Sequence, residues 1–428
     1  MSASSGGSRP WRWIPTLYFA EGIPFVLVMM VSVVMYKNLG ISNTEIAFYT
    51  SWLYLPWVIK PFWSPLVDVL GTRRTWILVM QLMIGAGLAG VALTLPAENF
   101  FRYSLAVLWL MAFSSATHDI AADGFYISAL SENQQTWFVG IRSTFYRLAM
   151  ISGQGLLVML AGLLEKNTGS SVLAWSLVFY LMAGLFIVLF AWHTRFLPRP
   201  VRDMTQPLDS PGQVMASVKE TLLTFFKKPD LLKILLFLLF YRFAEAQLVK
   251  LAAPFLLDDR ASGGLAMSTT EVGFTYGTVG VALLSIGGIL GGVMAARTGL
   301  TRQLLLFMVA AINIPNLVYL LLALWQPESR VLVNIAVGIE QLGYGFGFTA
   351  YMLFMIYVAQ GRHSTAHFAI CTGFMALGMM LPGMFSGALQ EYLGYIPFFF
   401  WILLATLPSF FVTWFIPMTE GFGREESA

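Results

Sequence analysis

The residues with the clearest chemical potential are His118, Asp119 and Asp123, which lie inside the apolar run from Tyr103 to Leu130. An ionisable group in a segment that crosses lipid is expensive unless it is paired or faces water, so such groups mark functional sites. Carboxylates and an imidazole can bind and release protons. We therefore predict a proton-coupling site at these three residues of a membrane transporter.

Two arginines in the next apolar segment are candidate partners for the aspartates. In two antiparallel helices, residues at the same depth have a nearly constant sum of residue numbers. Asp123 satisfies this relation with Arg142, and Asp119 satisfies it with Arg147. Asp119 and Asp123 are four positions apart and share a helical face, whereas His118 lies about 100° from Asp119. We predict two stacked ion pairs. Both pairs could be static braces between the helices. Alternatively, the basic partner of Asp119 leaves it during transport.

Other charged and amide side chains lie inside further apolar segments, with acidic and basic residues in balance. Such balance indicates pairing, because a lone buried charge is expensive. It also suits a cavity for a polar substrate. The residues that we predict to line this cavity are Glu21, Lys60, Arg142, Arg147, Arg242, Glu245, Glu340 and Gln341.

Three residues of the seventh apolar segment illustrate the alternatives. Arg242 and Glu245 are three positions apart and share a helical face, so an internal ion pair and a substrate contact both remain open. Lys250 lies off that face and is predicted to extend toward the outer membrane interface. In the tenth segment, Gly343, Gly345 and Gly347 are expected to allow close helix packing.

Composition places the chain in a bilayer. Its residues are 57% hydrophobic and 11% charged, and mean hydropathy is +0.72. A net charge of +3 with dispersed basic residues argues against nucleic-acid binding. The single Cys371 excludes an internal disulfide and a cysteine-based metal site. No nucleotide-binding loop or metal-ligand spacing is present, so we predict no enzyme activity, no metal and no cofactor, with transport powered by a proton gradient.

Apolar runs long enough to span a membrane divide into two sets of six. They lie near 13–36, 44–68, 75–95, 103–130, 137–163, 171–194, 230–257, 271–296, 302–324, 330–357, 364–389 and 395–416. The fold class is therefore all-α integral membrane, with twelve transmembrane helices. We predict an N-terminal half over 1–194, a cytoplasmic linker over 195–229 that is rich in proline, and a C-terminal half over 230–428.

The distribution of basic residues predicts the orientation, because short cytoplasmic loops are enriched in lysine and arginine. If the amino terminus is inside, the outer side carries only Lys37, Arg102, Lys166, Arg260 and Arg330. Both termini are therefore expected to be cytoplasmic. Two six-helix halves are the plan of the major facilitator superfamily, whose halves rock about a site near mid-membrane. Helix number alone leaves a channel or a membrane enzyme open.

The loop between the second and third segments resembles a facilitator signature, with an acid, a glycine and a basic pair. These residues are Asp68, Gly71, Arg73 and Arg74, which we predict to form a gating loop. Three further runs resemble the AmpG-like permeases, which import anhydro-muropeptides and related amino sugars across the bacterial inner membrane. They are Lys60-Pro-Phe-Trp63-Ser64-Pro65-Leu-Val-Asp68, Asp119-Ile-Ala-Ala-Asp123 and Tyr146-Arg147-Leu-Ala-Met. In the second half, Tyr241-Arg242 with Glu245 and Glu340 with Gly345-Phe-Gly347 fall in similar places.

The resemblance implies proton-coupled uptake of a small molecule by a monomer in the bacterial inner membrane, with Asp119 as the leading coupling residue and Asp123 beside it. The chain departs from enterobacterial relatives at His118, Glu21 and Arg142. The wider group also resembles siderophore importers. Our hypothesis is proton-coupled import of cell-wall amino sugars or anhydro-muropeptides. The alternatives are import of a siderophore or another amphiphilic metabolite, and a membrane sensor that does not transport.

Overall fold

The computed structural model of the protein describes residues 10–199, 211–361, 364–418 and 421–422. These residues form helices joined by short loops, and their only β-structure is a bridge between Leu300 and Phe422. The all-helical fold predicted from the sequence is confirmed.

The helices of the first half of the chain are α1 (Ile14–Val26), α2 (Ser32–Asn38), α3 (Asn43–Trp52), α4 (Leu55–Val69), α5 (Arg73–Thr94), α6 (Phe100–Ala129), α7 (Glu132–Ile151), α8 (Val158–Thr168) and α9 (Ser171–Phe196). Those that follow are α10 (Pro211–Phe226), α11 (Leu231–Phe240), α12 (Phe243–Leu257), α13 (Thr269–Phe274), α14 (Val281–Thr298), α15 (Arg302–Asn313), α16 (Leu317–Trp325), α17 (Arg330–Ala359), α18 (Ser364–Leu393), α19 (Tyr395–Leu404) and α20 (Leu407–Phe415). π-Helical turns continue α1, α7 and α13 into the next helix at Leu27–Val31, Ser152–Leu157 and Thr275–Gly280.

Side-chain caps explain where many of these helices begin. The Ser42 and Thr72 hydroxyls accept backbone N–H bonds at the starts of α3 and α5. Ser131 and Ser268 form capping boxes with the residue three positions later, at the starts of α7 and α13. Each cap satisfies amide groups that the first helical turn leaves without a partner.

Ten helical stretches of the described residues are long and apolar enough to cross a membrane. The two remaining predicted segments are each divided into two shorter helices. The segment near 44–68 is interrupted between Trp52 and Leu55, and the segment near 230–257 is interrupted at Tyr241 and Arg242. Both predicted segments are therefore present as helix pairs instead of single helices.

The chain packs as two units. The first comprises 1–31 with 62–216, and the second comprises 32–61 with 217–428. The prediction of halves over 1–194 and 230–428 describes chain order, so a grouping by packing does not test it. Part of the predicted linker, 200–210, lies outside the described residues, and so does the side chain of Asp68.

Each unit has its own apolar core. In the first unit, aromatic and aliphatic residues of α1, α5 and α6 are buried together, among them Trp13, Leu17, Ile77 and Phe125. In the second unit, one cluster centres on α11, α15 and α17, and another joins α12, α16 and α19. The second cluster also contains Ala47 of α3, because residues 32–61 pack with this unit.

Glycines bring the helices of the second unit into close contact. A Cβ atom added at Gly345 would collide with the Leu284 carbonyl group of α14, and one at Gly287 would collide with the Leu342 carbonyl group of α17. Gly343 and Gly347 stand equally close to α15. The packing role predicted for the glycines of α17 is confirmed, since only a residue without a side chain fits at these contacts.

Candidate functional site

The acidic cluster of the first unit comprises Glu21, Asp119 and Asp123. Its first feature is an ion pair between α6 and α7. Arg142 Nη2 lies 2.8 Å from Asp123 Oδ1, and the Tyr18 hydroxyl of α1 donates to the same oxygen at 3.3 Å. The guanidinium also stands over the rings of Tyr18 and Tyr126, with its carbon 4.5 and 5.1 Å from the ring centroids. The predicted pair of Asp123 with Arg142 is confirmed.

Asp119 has a different neighbour from the one predicted. The carboxyl groups of Asp119 and Glu21 of α1 are close enough to interact electrostatically. Glu21 is 6% exposed, and its Oε2 atom is buried without a hydrogen-bond partner among the described residues. A hydrogen bond between two carboxyl groups needs one proton, because two carboxylates have no donor.

The predicted pair of Asp119 with Arg147 is wrong. Arg147 is exposed, and it makes no hydrogen bond or ion pair with the described residues. The reason is helical geometry. Arg142 and Arg147 are five positions apart, which places them about 140° apart around α7. A constant sum of residue numbers identifies residues at the same depth in two antiparallel helices. It carries no information about the helix face on which each side chain lies.

The Asp123–Arg142 pair gives a first testable expectation. Arg142→Gln leaves the Asp123 carboxylate without its cation and should destabilise the protein by about 1–3 kcal/mol, less than for a fully buried pair because the two side chains are 29% and 43% exposed. Asp123→Asn combined with Arg142→Gln removes both charges and should recover most of that loss. Thermal unfolding in detergent measures both. A double variant as unstable as the sum of the singles would contradict a mutual brace.

His118 points away from the acidic cluster. It is fully buried, and its Nε2 atom lies 3.1 Å from the side-chain nitrogen of Gln81 on α5. Gln81 also contacts His193 of α9 at 2.9 Å, and His193 Nε2 lies 2.9 Å from the Thr16 hydroxyl of α1. This network joins four helices of the first unit. The proton-coupling role of His118 stays a prediction, and its contacts are those of an interhelical brace.

The basic residues of the predicted gating loop fasten α5 to its neighbours. Arg74 donates to the carbonyl oxygens of Thr194 and Leu197 at 2.6 and 3.3 Å, at the C-terminal end of α9. A cation is favourable there because helix C-termini present unpaired carbonyl groups. The Arg73 side chain lies against Gly124 of α6. Gating by this loop stays a prediction.

Lys60 of α4, which was predicted to line the cavity, is partly exposed. It packs with the second unit, because residues 32–61 belong to that unit. A contact between Lys60 and a substrate stays a prediction.

A second set of charges lies in the second unit, at the break between α11 and α12. Arg242 occupies the break, with φ −110° and ψ 24°, and donates through Nη2 to the Tyr344 hydroxyl at 2.5 Å. Its guanidinium carbon is 5.1 Å from the ring centroids of both Tyr344 and Phe348. Glu245 is 3% exposed in the first turn of α12. Of the two alternatives left open for these residues, the internal ion pair is absent from the described part of the chain, where Arg242 contacts Tyr344 instead.

Glu340 of α17 is buried close to Glu245. It is 2% exposed, and its Oε2 atom accepts from Gln341 Nε2 at 2.9 Å and from the Tyr319 hydroxyl at 3.4 Å. The Tyr319 hydroxyl also hydrogen-bonds to that of Tyr276. A buried carboxyl group needs such hydrogen-bond partners. The two tyrosines are not among the predicted site residues, since aromatic residues in apolar segments are more often packing residues.

Lys250 does not extend toward the membrane interface, so that prediction is wrong. The residue is 2% exposed, and its ammonium donates to the Thr50 hydroxyl of α3 at 2.8 Å. The ammonium nitrogen also lies 5.3 Å from the centroid of the Tyr54 ring. Residues 32–61 pack against α12, and they enclose a side chain that a lone helix would leave exposed.

The Major Facilitator Superfamily sequence pattern matches residues 16–366. The chain belongs to the Major Facilitator Superfamily. It is thus a multi-pass membrane transporter, and the predicted facilitator fold is confirmed.

Relatives of this facilitator bear out the resemblance to AmpG-like permeases. Over 398 residues this chain is 27% identical to the anhydromuropeptide permease of Escherichia coli (strain K12). The match covers 92% of this chain and 77% of the relative. This chain is also 24% identical over 411 residues to "Putative transporter AmpG 4" of Rickettsia conorii, covering 94% of both chains.

Solved facilitator structures share the fold at low sequence identity. A bacterial homologue of the human lysosomal transporter Spinster superposes with a TM-score of 0.71 at 15% identity, over 96% of this chain and 98% of the other. The D-xylose–proton symporter superposes with a TM-score of 0.69 at 10% identity, over 96% and 98%. At these identities the likeness concerns the fold alone.

Proposed function

We propose that this facilitator is a proton-coupled importer of anhydro-muropeptides or related cell-wall amino sugars across the bacterial inner membrane. Support for the cargo comes from the relatives, one of which is named anhydromuropeptide permease. The observation that carries the coupling is the approach of the Glu21 and Asp119 carboxyl groups. The protein works as a monomer with both termini in the cytoplasm.

We assign the proton to one pair of carboxyl groups in the acidic cluster of the first unit. Asp123 is an ion-pair partner of Arg142 and accepts from Tyr18, so it is held as a carboxylate. Glu21 and Asp119 approach each other, and a hydrogen bond between them needs a proton. If substrate movement separates these two carboxyl groups, the shared hydrogen bond is lost and the proton is released. This sequence links proton transfer to the conformational cycle of a facilitator.

No metal or nucleotide has a role in this proposal. The described residues contain no group of three or more histidine, cysteine, aspartate or glutamate side chains that could hold a metal ion. The proton gradient is the energy source, and the bound species are the small-molecule cargo and the proton.

Uptake into proteoliposomes tests the proposal. Labelled anhydro-muropeptide, N-acetylglucosamine and N-acetylmuramic acid are supplied separately, with and without an inward proton gradient. We expect gradient-dependent accumulation of at least one of them. Uptake that ignores the gradient would refute coupling. Binding without accumulation would favour a sensor, and no uptake by folded protein would favour a siderophore or another amphiphilic cargo.

A further inference from the structure

A closed ring of polar contacts lies at one end of the second unit. Lys37 Nζ of α2 forms an ion pair with Asp258 Oδ1 at 2.6 Å and donates to Asn43 Oδ1 at 2.9 Å. Asn43 Nδ2 of α3 donates to the Tyr395 hydroxyl at 3.1 Å, and that hydroxyl donates to Asp258 Oδ2 at 2.6 Å. The same amide nitrogen donates to Gln390 Oε1 at 2.7 Å. Donors and acceptors match around the whole ring.

Two further contacts fix the start of α3 to α18. The Thr44 backbone N–H and hydroxyl donate to the two carboxylate oxygens of Glu391 at 3.1 and 2.5 Å. A Cβ atom added at Gly387 would collide with the Asn43 carbonyl group, so the two backbones meet with no side chain between them. The turn between α2 and α3 is therefore held closely against the C-terminal end of α18.

The first two membrane spans are divided between the two packing units. The span that ends at residue 38 belongs to the first unit as far as residue 31, and the next span rejoins that unit at residue 62. Residues 32–61 pack with the second unit. In a facilitator the two six-helix halves rock about a central site. Chain order assigns 32–61 to the first half, so a movement that opens this end must carry the segment away from α12, α18 and α19.

Polar contacts suit a surface that separates and closes again. Hydrogen-bonding groups exchange one another for water when they part, so opening costs little for each bond. The side chains of Lys37 and Asp258 are 15% and 19% exposed, and water can reach them as soon as the segment moves. An apolar contact would instead expose hydrophobic surface to water. The ring can therefore hold this end closed and still release it.

We propose that this ring is a latch that closes the outer end of the transport path. Its members are Lys37, Asn43, Asp258, Gln390 and Tyr395. The inference rests on the proposed function, because the orientation proposed there places the turn between α2 and α3 on the outer side. Cargo enters after the latch opens, and the latch forms again before the cargo is released inside.

A charge reversal at the ion pair tests the latch. Lys37→Asp places a carboxylate opposite Asp258, and the two repel each other. The readout is a thiol introduced by Ser51→Cys in a Cys371→Ser background. Ser51 is fully buried on α3, about 12 Å along the helix from its first residue. We expect a membrane-impermeant maleimide added outside to label this thiol about tenfold faster when Lys37→Asp opens the latch.

A rescue and a matched control accompany this variant. Adding Asp258→Lys to Lys37→Asp restores an opposite pair and should bring the labelling rate most of the way back to that of the parent. Lys166→Asp makes the same reversal at an exposed position near the end of α8 and should leave the rate unchanged. Labelling that Lys37→Asp does not accelerate, or that the second change does not slow again, would overturn the latch.

Cross-linking tests the latch without weakening it. Thr44→Cys with Glu391→Cys, joined by a short bis-thiosulfonate, should abolish uptake, and a reductant should restore it. Glu165→Cys with Ser171→Cys is the matched pair, because these side chains also hydrogen-bond at 2.5 Å but lie within the first unit. Uptake should survive that cross-link. Uptake that also survives the cross-link between α3 and α18 would refute the latch.

The two readouts separate this inference from the proposed function. Labelling needs no cargo, so a protein that accumulates none of the tested molecules still shows whether the latch opens. Latch-dependent labelling without uptake would reject the proposed cargo and keep the latch. Uptake with labelling that ignores the charge reversal would keep the function and reject the latch.

Discussion

Asp119→Asn is expected to abolish accumulation of cargo against its concentration gradient, down to the level of liposomes without protein. An amide keeps the size of the side chain but cannot bind or release a proton at neutral pH. The approach of Glu21 to residue 119 would then no longer involve a proton that the cycle can release. Uptake driven by an imposed proton gradient measures the loss.

Exchange of labelled for unlabelled cargo separates coupling from transport as such. Exchange needs no net proton movement, so Asp119→Asn should retain it. Glu21→Gln should lose most accumulation for the same reason, because the proposed coupling shares the proton between Glu21 and Asp119. Glu165→Gln is a suitable control, since this residue lies at the end of α8 beyond the cluster and bonds to Ser171. Full proton-driven accumulation by Asp119→Asn would eliminate the coupling role.

Gly287→Ala and Gly292→Ala are expected to differ in stability, although both residues lie on α14. A Cβ atom at residue 287 would meet the Leu342 carbonyl group of α17, whereas nothing lies within 4 Å of one at residue 292. Forcing the two helices apart should destabilise the protein by about 1–3 kcal/mol. Alanine at residue 292 should be neutral or stabilising by up to about 1 kcal/mol, because alanine favours the helix over glycine.

Thermal unfolding of the two variants in the same detergent checks this prediction. A retained melting temperature for Gly287→Ala would mean that α14 and α17 can separate without loss of stability. Gly345→Ala tests the contact between α14 and α17 from the α17 side, because its Cβ atom would meet the Leu284 carbonyl group of α14. We expect it to behave like Gly287→Ala.

Some site residues can be predicted because their signal lies in the sequence alone. A charge in an apolar run can be recognised without knowing where that run lies in the fold. This signal identifies Glu21, Asp119, Asp123, Glu245 and Glu340. The network of Gln81 and His193 escapes the prediction, although neutral polar residues inside apolar runs give a similar and weaker signal. Tyr319 and Tyr276 give none, because nothing in an aromatic residue's sequence context shows that its hydroxyl hydrogen-bonds to another buried polar group.

The sequence is less informative about partners. Matching by depth finds Asp123 with Arg142 but fails for Asp119, whose neighbour Glu21 comes from α1, far away in the chain. The spacing of Arg242 and Glu245 predicts a shared face only under the assumption of an unbroken helix. Lys250 is buried because α3 packs over it, and the spacing of residues within one helix carries no information about that contact.

Composition and hydrophobic periodicity are sufficient to predict the membrane class, the apolar segments and the identity of the charged residues inside them. Each of these features depends only on how one stretch of chain behaves in an apolar solvent. The AmpG-like resemblance also comes from the order of residues alone. Which carboxyl group meets which partner depends on helix breaks, rotation about helix axes and contacts between distant segments. Those follow from tertiary packing, and they decide that Glu21 lies near Asp119 and that Arg242, at a helix break, contacts Tyr344.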